Sequence, residues 1–509
     1  MDGLYVVATF SISILLMSIL WYIKTSLERR KNPPLPPGPL GLPILGYLPF
    51  LGNNLFEKFT ELGHKYGPII SISLGNKLCV VINSPSLVKE VVRDQDSVFA
   101  NRDIPAVGIV ATYGANDIVF SELNSKWRAM RKIFVQEMMN TKSLDASYNL
   151  RKDQVRTAVR QVHAKIGNPV EIGPLIFRTE LKVMMNMLWG GKIEGEEGER
   201  VAYEFLAVAP KLVDLFGKPN ISDFFPFLAW LDIQGVKKQM ETYMQIVDTI
   251  FETVITQHER NLSGEIEEGK KDLLQILLEI QNKQDSEISI SRRQIKAIFM
   301  DTVIGGTDTT AITLEWAMAE LMNNPAAMSK AHKELSEVVG LNDIVEELHI
   351  PKLKYLEAVI KETMRLHPAI PLLIPRSTSQ SSIVGGYTIP KGTTVFINVR
   401  SIQRDPSIWD KPLEFRPERF LDDTIEKCDY RGNYFHYLPF GSGRRICAGM
   451  PLAERMLMYL LASFLHSFDW KLGQGETLDM SEAFGIVLRK GTPLIGVPSP
   501  RLSVSDLYV

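Results

Sequence analysis

The feature that most limits the fold is a helical pattern of about 30 residues past the middle of the chain. Ser291 followed by Gln294 is a capping-box start, and Asn323-Asn324-Pro325 is a stop. At ~1.5 Å per residue the segment between them runs roughly 45 Å, far beyond an average helix. Its centre, Gly305-Gly306-Thr307-Asp308-Thr309-Thr310, is a poor helix former, because glycines cost ~1 kcal/mol each and threonine is β-branched. Missing Cβ atoms let a flat ligand approach the backbone, while hydroxyl and carboxyl groups beside it can bend the helix and deliver protons. A simple kink or a helix–helix contact explains the same residues equally well.

The pattern from Trp127 to Asn324 is mostly helical, with charged breaks at 192–200 and 265–271. Ile69 to Leu74 and Cys79 to Ile82, joined through Gly75-Asn76, read as a β-hairpin. A second β-like region spans roughly Ile383 to Asn398, with turns at Gly385-Gly386 and Pro390-Lys391-Gly392. The predicted fold class is mainly α with a smaller β-rich region. Length alone, 509 residues at ~150 per domain, would allow three units. No linker divides the body, so a single catalytic domain over 46–509 is predicted. The 45% hydrophobic and 23% charged content is that of a globular protein, and a net charge of −2 argues against nucleic-acid binding through phosphates.

Residues Leu4 to Ile23 form an uncharged run of 20, long enough as a helix to cross a hydrocarbon core. Asp2 precedes it, and Lys24, Arg29, Arg30 and Lys31 follow. A cleaved signal peptide has the opposite order of charge, so residues 1–24 read as one N-terminal transmembrane anchor, with a cleaved signal as the alternative. The positive-inside rule then puts the body on the cytoplasmic face. The sequons at Asn220 and Asn261 become chance matches there. Residues 25–45 form a basic and proline-rich hinge. Its Pro33-Pro34-Leu35-Pro36-Pro37-Gly38-Pro39 is either a semi-rigid spacer that sets the body's orientation or a passive linker.

Three cysteines, Cys79, Cys428 and Cys447, can form neither a disulfide framework nor a four-cysteine zinc site. Cys447 lies in Phe440-Gly441-Ser442-Gly443-Arg444-Arg445-Ile446-Cys447-Ala448-Gly449, ahead of an apolar helical run. The glycines permit a tight turn whose N–H groups can point at sulfur, and the following helix start adds positive dipole. Such donors lower the basicity of a metal-bound thiolate. Arg445 can pair with a carboxylate at the edge of the same cofactor. An inert buried thiol is the competing reading, which the glycine-interrupted helix disfavours.

Phe440, Gly443, Arg445, Cys447 and Gly449 resemble, position by position, the F-x-x-G-x-R-x-C-x-G signature of cytochrome P450 thiolate-haem monooxygenases. Trp127 and Arg131 resemble that family's W-x-x-x-R, Gly305 to Thr310 its oxygen-activation motif, Glu362 and Arg365 its E-x-x-R, and 415–420 its PERF segment. The resemblance covers about 30–500 and implies a P450-like fold with haem b. In it Cys447 would be the axial iron ligand. Trp127, Arg131, Arg376 and Arg445 would hold the propionates, and Asp308 and Thr309 would relay protons to dioxygen. Glu362, Arg365 and Arg419 would form a buried ion-pair triad. Read without the family, the same residues are an i, i+4 helix pair (Trp127, Arg131), a surface arginine (Arg376), a capped kink (Asp308, Thr309) and a solvated pair (Glu362, Arg365).

The presence of both Asp308 and Thr309 favours monooxygenation, with electrons from NADPH through a microsomal cytochrome reductase. Basic residues around Arg444 would dock that partner, or form only a solvated surface. The anchored, cytoplasm-facing form resembles the family's microsomal class, which implies an endoplasmic reticulum membrane location. Family-matched substrate-contact spans are apolar and include Ile104, Val107, Phe299, Ile304, Ile370, Leu373, Phe484 and Ile486. They suit a small lipophilic substrate, and the style of the flanking sequence resembles plant terpenoid and flavonoid hydroxylases, with terpenoid preferred. Rival readings are a haem sensor or carrier, a non-oxidative haem-thiolate isomerase or dehydratase, and a membrane-tethered scaffold.

Overall fold

A computed structural model describes residues 32–509, apart from 53, 191–194, 262–271, 283–289 and 422–427. The apolar run Leu4 to Ile23 lies outside the described residues. No described helix is long and apolar enough to cross a membrane.

The helices around the site are α1 (Leu55–Tyr66), α2 (Ser125–Ile133), α3 (Ile172–Trp189), α4 (Gly195–Gly217), α5 (Arg292–Asn323), α6 (Lys354–Leu366) and α7 (Met450–Ser467). The strands include β1 (Ile69–Leu74), β2 (Lys77–Ile82), β3 (Asn101–Arg102), β4 (Arg376–Ser377), β5 (Ser382–Val384), β6 (Tyr387–Ile389), β7 (Thr394–Ile397), β8 (Glu482–Phe484) and β9 (Leu488–Lys490). Val170–Glu171, Phe468–Lys471 and Ile495–Pro500 form a further three-stranded sheet.

Helix α5 is the axis of the molecule. Ser291 Oγ accepts the Gln294 N–H, and the Gln294 side chain accepts the Ser291 N–H at 2.9 Å, so both halves of the capping box form. The helix then runs 32 residues, about 48 Å at ~1.5 Å each, to the Asn324 cap. It is buried on nearly all sides, as a central helix must be when apolar residues surround its axis. It packs on α3, α6 and α7, within the largest apolar cluster of the protein.

The five-stranded sheet has the order β1-β2-β7-β4-β3. β1 and β2 pair antiparallel from Ile69↔Ile82 to Leu74↔Lys77, and Gly75 takes φ +56 in the two-residue turn. The predicted hairpin therefore forms, with β2 starting two residues earlier than the apolar run. Gly385 and Gly386, at φ +56 and +82, turn β5 into β6. The proline segment lies against both the five-stranded sheet and the β5–β6 pair. Ser71 Oγ donates to Pro36 O at 2.6 Å, Ser71 N to Pro37 O at 2.8 Å, and Thr388 N to Pro34 O at 2.8 Å. Asn220 of the first sequon is 2% exposed, and its side chain accepts the Ser222 N–H.

Candidate active site

The Cys447 loop is shaped by glycines. Gly441 and Gly443 take φ +72 and +69, and a Cβ on Gly443 would sit 2.3 Å from the Val92 carbonyl oxygen. The Cys447 N–H donates to Phe440 O at 3.0 Å and closes the turn. Helix α7 starts directly after Gly449. Burial pushes the Cys447 thiol up, against the pull of the Gly449 N–H, the Arg131 charge and the Met450 N–H. The sulfur donors expected from the sequence are present, but burial outweighs them. A metal cation at the sulfur is what would then hold it as thiolate. Cys447 is enclosed by protein at longer range and yet is exposed, whereas Cys79 and Cys428 are buried.

A second opening lies on α5, which packs against α7. Gly305 is exposed in the middle of this buried helix, and a Cβ placed on it would meet nothing within 4 Å. Thr309 is partly exposed beside it and donates its hydroxyl to Gly305 O at 2.6 Å. The poor helix-forming centre thus coincides with the helix's open stretch. Asp308 is 5% exposed, and both its oxygens accept from Arg489 Nη2, at 3.1 and 3.0 Å. Burial raises its carboxyl, and the Arg489 charge opposes this.

Four arginines converge beside the cysteine loop. Trp127, placed in α2 by the Asn124 cap, donates its indole N–H to Ile118 O at 2.9 Å. The Arg445 guanidinium lies 4.3 Å from its ring centre and that of Arg131 at 5.6 Å. Arg445 donates to Ala100 O at 2.6 Å, and Arg131 to Ile446 O at 2.5 Å. Arg376 in β4 donates to Ser442 O at 2.8 Å and pairs with Asp96 at 3.3 Å. The fourth, Arg102, faces Arg376 across the β3–β4 register and donates to Ile374 O at 2.5 Å. Sequence reasoning missed it, since no motif surrounds it. Arg445 falls to about 10, through burial first and then the Arg376 charge. Arg102 is lowered well below its usual range by burial and then by Arg376, Arg445 and Arg131. Asp96 and Asp117 are the carboxylates acting on this group, which leaves a surplus of positive charge.

Behind the loop, Glu362, Arg365 and Arg419 meet in one buried network. Arg365 donates to Glu362 at 2.7 and 2.8 Å, and Arg419 Nε to the same carboxylate at 3.0 Å. Arg365 also donates to Gln403 O and Pro412 O, both at 2.8 Å, which fixes the chain leading to the cysteine loop.

The apolar residues separate. Ile304, Ile370 and Ile486 join one cluster with Val213, Ile312, Trp316 and Val487. Val213 and Trp316 carry no sequence signal that sets them apart from core. Phe299 is 0% exposed and packs on Trp189 and Phe251 at 5.7 and 5.4 Å, within the main core cluster. Phe484 packs edge-on against Phe56 of α1 at 5.4 Å and belongs to a different cluster. Val107 is buried in the main core, Leu373 takes φ +50, and Ile104 touches the position a Gly108 Cβ would occupy. Arg444, its side chain half exposed, pairs with Asp96 at 3.0 Å, the carboxylate that Arg376 also contacts.

The family model described as Cytochrome P450 matches residues 36–497. The chain belongs to the cytochrome P450 family. It is 37% identical over 500 residues to flavonoid 3'-monooxygenase of Petunia hybrida, covering 96% of this chain and 97% of that one. It is 38% identical over 506 residues to geraniol 8-hydroxylase of Catharanthus roseus, covering 98% and 100%. A zebra fish cytochrome P450 solved with progesterone superposes with TM-score 0.76 at 25% identity, over 88% of this chain and 100% of that one. The chain therefore has the P450 fold, mainly helical with a smaller sheet region, and is a P450 monooxygenase.

The residues present fit the haem that membership in this P450 family implies. Cys447 is an exposed free cysteine, the Gly305 stretch leaves room for a flat ring, and the surplus of guanidinium charge suits a group bearing two carboxylates.

Proposed function

We propose that this P450 inserts one oxygen atom of O2 into a small lipophilic plant metabolite, a terpenoid, using NADPH electrons delivered by a membrane-bound cytochrome P450 reductase. The observation that carries the reading is the exposed Cys447 thiol beside a central helix opened at Gly305 and Thr309.

A haem held by Cys447 supplies the activation of dioxygen. The chain's own residues do the rest. Trp127, Arg131, Arg376 and Arg445, with Arg102, would hold the group by its carboxylates; the guanidinium donors of Arg131, Arg376 and Arg445 rest here on the backbone carbonyls of Ile446, Ser442 and Ala100. The Phe440–Gly449 turn keeps N–H groups on the sulfur side. Thr309 keeps its hydroxyl proton on Gly305 O, at the wall of the cleft, and Asp308 stands next to it as the buried acid that resupplies protons from the Arg489 side. Ile304, Ile370 and Ile486 exclude water and hold the substrate by apolar contact.

Membrane attachment is part of the proposal, with residues 1–24 as anchor and the endoplasmic reticulum as the site. Exposed Leu40, Ile44 and Phe50 and exposed Phe227, Trp230 and Ile233 support it. The two groups are joined where Gly75 N donates to Leu45 O and Asn76 N to Phe224 O, at 3.1 and 3.0 Å. Lys126, Arg128 and Lys132, exposed along α2, supply docking charge for the reductase. The flavonoid reading stays as the second, on the 37% relative from Petunia. Co-expression with a plant reductase, NADPH and parallel feeding of geraniol and flavonoids tests the assignment. NADPH-dependent hydroxylation of geraniol is the expected result, and product from flavonoids alone would replace terpenoid with flavonoid.

A further inference from the structure

A chain of ions closes over the apolar cluster. Asp214 of α4 accepts from Arg489 Nη1 at 3.1 Å, and Arg489 Nη2 holds both oxygens of Asp308. Arg489 lies in β9, opposite Ala483 of β8. Each charged residue is one structural step from a residue of the apolar cluster. Asp214 follows Val213, Asp308 lies between Ile304 and Ile312 at helical i±4 spacing, and Arg489 is two residues past Val487 of the hairpin turn. The hairpin is seated on the same helices. Trp316 donates its indole N–H to Leu488 O at 3.0 Å, and a Cβ on Gly217 would come 3.2 Å from Ile486 N. Spreading α4 or the β8–β9 hairpin away from α5 must therefore stretch one of the two Arg489 ion pairs.

We propose that Arg489 is a positioning residue that couples occupation of the apolar pocket to the acid Asp308, with Asp214 as its second anchor. The inference rests on the monooxygenase reading above. A filled pocket holds α4, the hairpin and α5 in register, and Arg489 then fixes Asp308 beside Thr309. With the pocket open, Arg489 follows the hairpin and Asp308 loses its counter-charge. The charged groups that act on Asp308 are Asp214 from α4 and Arg489 from the hairpin, and two helical turns along α5 Asp308 in turn acts on Glu315, together with Lys490 and Arg489.

The test is a linkage cycle on haem-loaded full chain, read by the spin-state change that geraniol or, in parallel, naringenin produces. The variants are R489Q, D308N and the double R489Q/D308N, with R489K as the conservative control. Binding should weaken about 5-fold or more in R489Q but less than about 2-fold when R489Q is added to D308N, because coupling energies act only while both partners are present. R489K should recover most of the affinity. In turnover, R489Q should release more hydrogen peroxide per NADPH, with the acid limb of its pH profile moved to higher pH, while its haem spectrum stays that of the wild type. An equal weakening by R489Q in both backgrounds, or no weakening, overturns the proposal. Absence of NADPH-dependent product from the wild type would overturn the monooxygenase reading instead, and the binding cycle would still decide the coupling.

Discussion

Substituting Glu362 by Gln keeps the side chain's shape and removes its charge, which isolates what the buried network does. The carboxylate accepts four hydrogen bonds: from Arg365 Nε and Nη2 at 2.7 and 2.8 Å, Arg419 Nε at 3.0 Å and Arg416 N at 2.9 Å. Three of these converge on Oε1 and one on Oε2. A glutamine can place its oxygen on the three, which leaves its NH2 facing the Arg365 Nε–H, donor against donor. One charge-assisted bond is lost, about 1.5–3 kcal/mol. Two guanidinium groups, 0% and 2% exposed as side chains, also lose their counter-charge. The sum falls near the ~3–5 kcal/mol typical of breaking a buried pair from one side. Since Arg365 also ties down the Gln403 and Pro412 carbonyls, the loss should reach the cysteine loop as weaker haem retention. Denaturation of the haem-loaded protein followed by tryptophan fluorescence and by haem absorbance reads both effects, with Trp409 at 5.2 Å from Arg365 as a local reporter. A destabilisation below about 1 kcal/mol with unchanged haem retention would refute this reasoning.

Thr309→Ala should load haem normally yet divert NADPH electrons to hydrogen peroxide by about 10-fold, since the hydroxyl now on Gly305 O is gone; equal coupling in the variant would count against it. Gly443→Ala places a methyl 2.3 Å from Val92 O at φ +69, so the variant should accumulate as haem-free protein; wild-type haem content would show that the loop adapts. Burial would raise the Glu482 carboxyl, but His367, Arg404 and Arg400 outweigh it and hold it at about 2. Its folded value is depressed, so its contribution of about 3 kcal/mol is present above the unfolded value near 4.5 and is lost as pH falls toward 2. Glu482→Gln should therefore flatten the stability decline over that window, and an unchanged acid limb in urea denaturation would contradict it.

Local signals carried much of this architecture. The Ser291–Gln294 box, the Gly75-Asn76 turn and the Cys447 loop act through neighbours in sequence, so their geometry follows from residue type. Arg102, Asp96 and Arg489 did not stand out, because partners hundreds of residues away recruit them. Phe299 and Phe484 show a second limit. Helix α5 is buried nearly all round, so no solvent-facing side marks which of its residues turn to the pocket and which to the core. The balance at the cysteine was also out of reach, since burial depends on the whole fold and exceeds the local N–H donors.

The central claim is that the sulfur of Cys447 binds iron. Reduced, carbon monoxide-treated protein measures it directly. The wild type should give the red-shifted Soret band of thiolate ligation, and Cys447→Ala, folded with an unchanged far-ultraviolet spectrum, should lack it. The same band in the alanine variant, or its absence from haem-loaded wild type, would contradict the account.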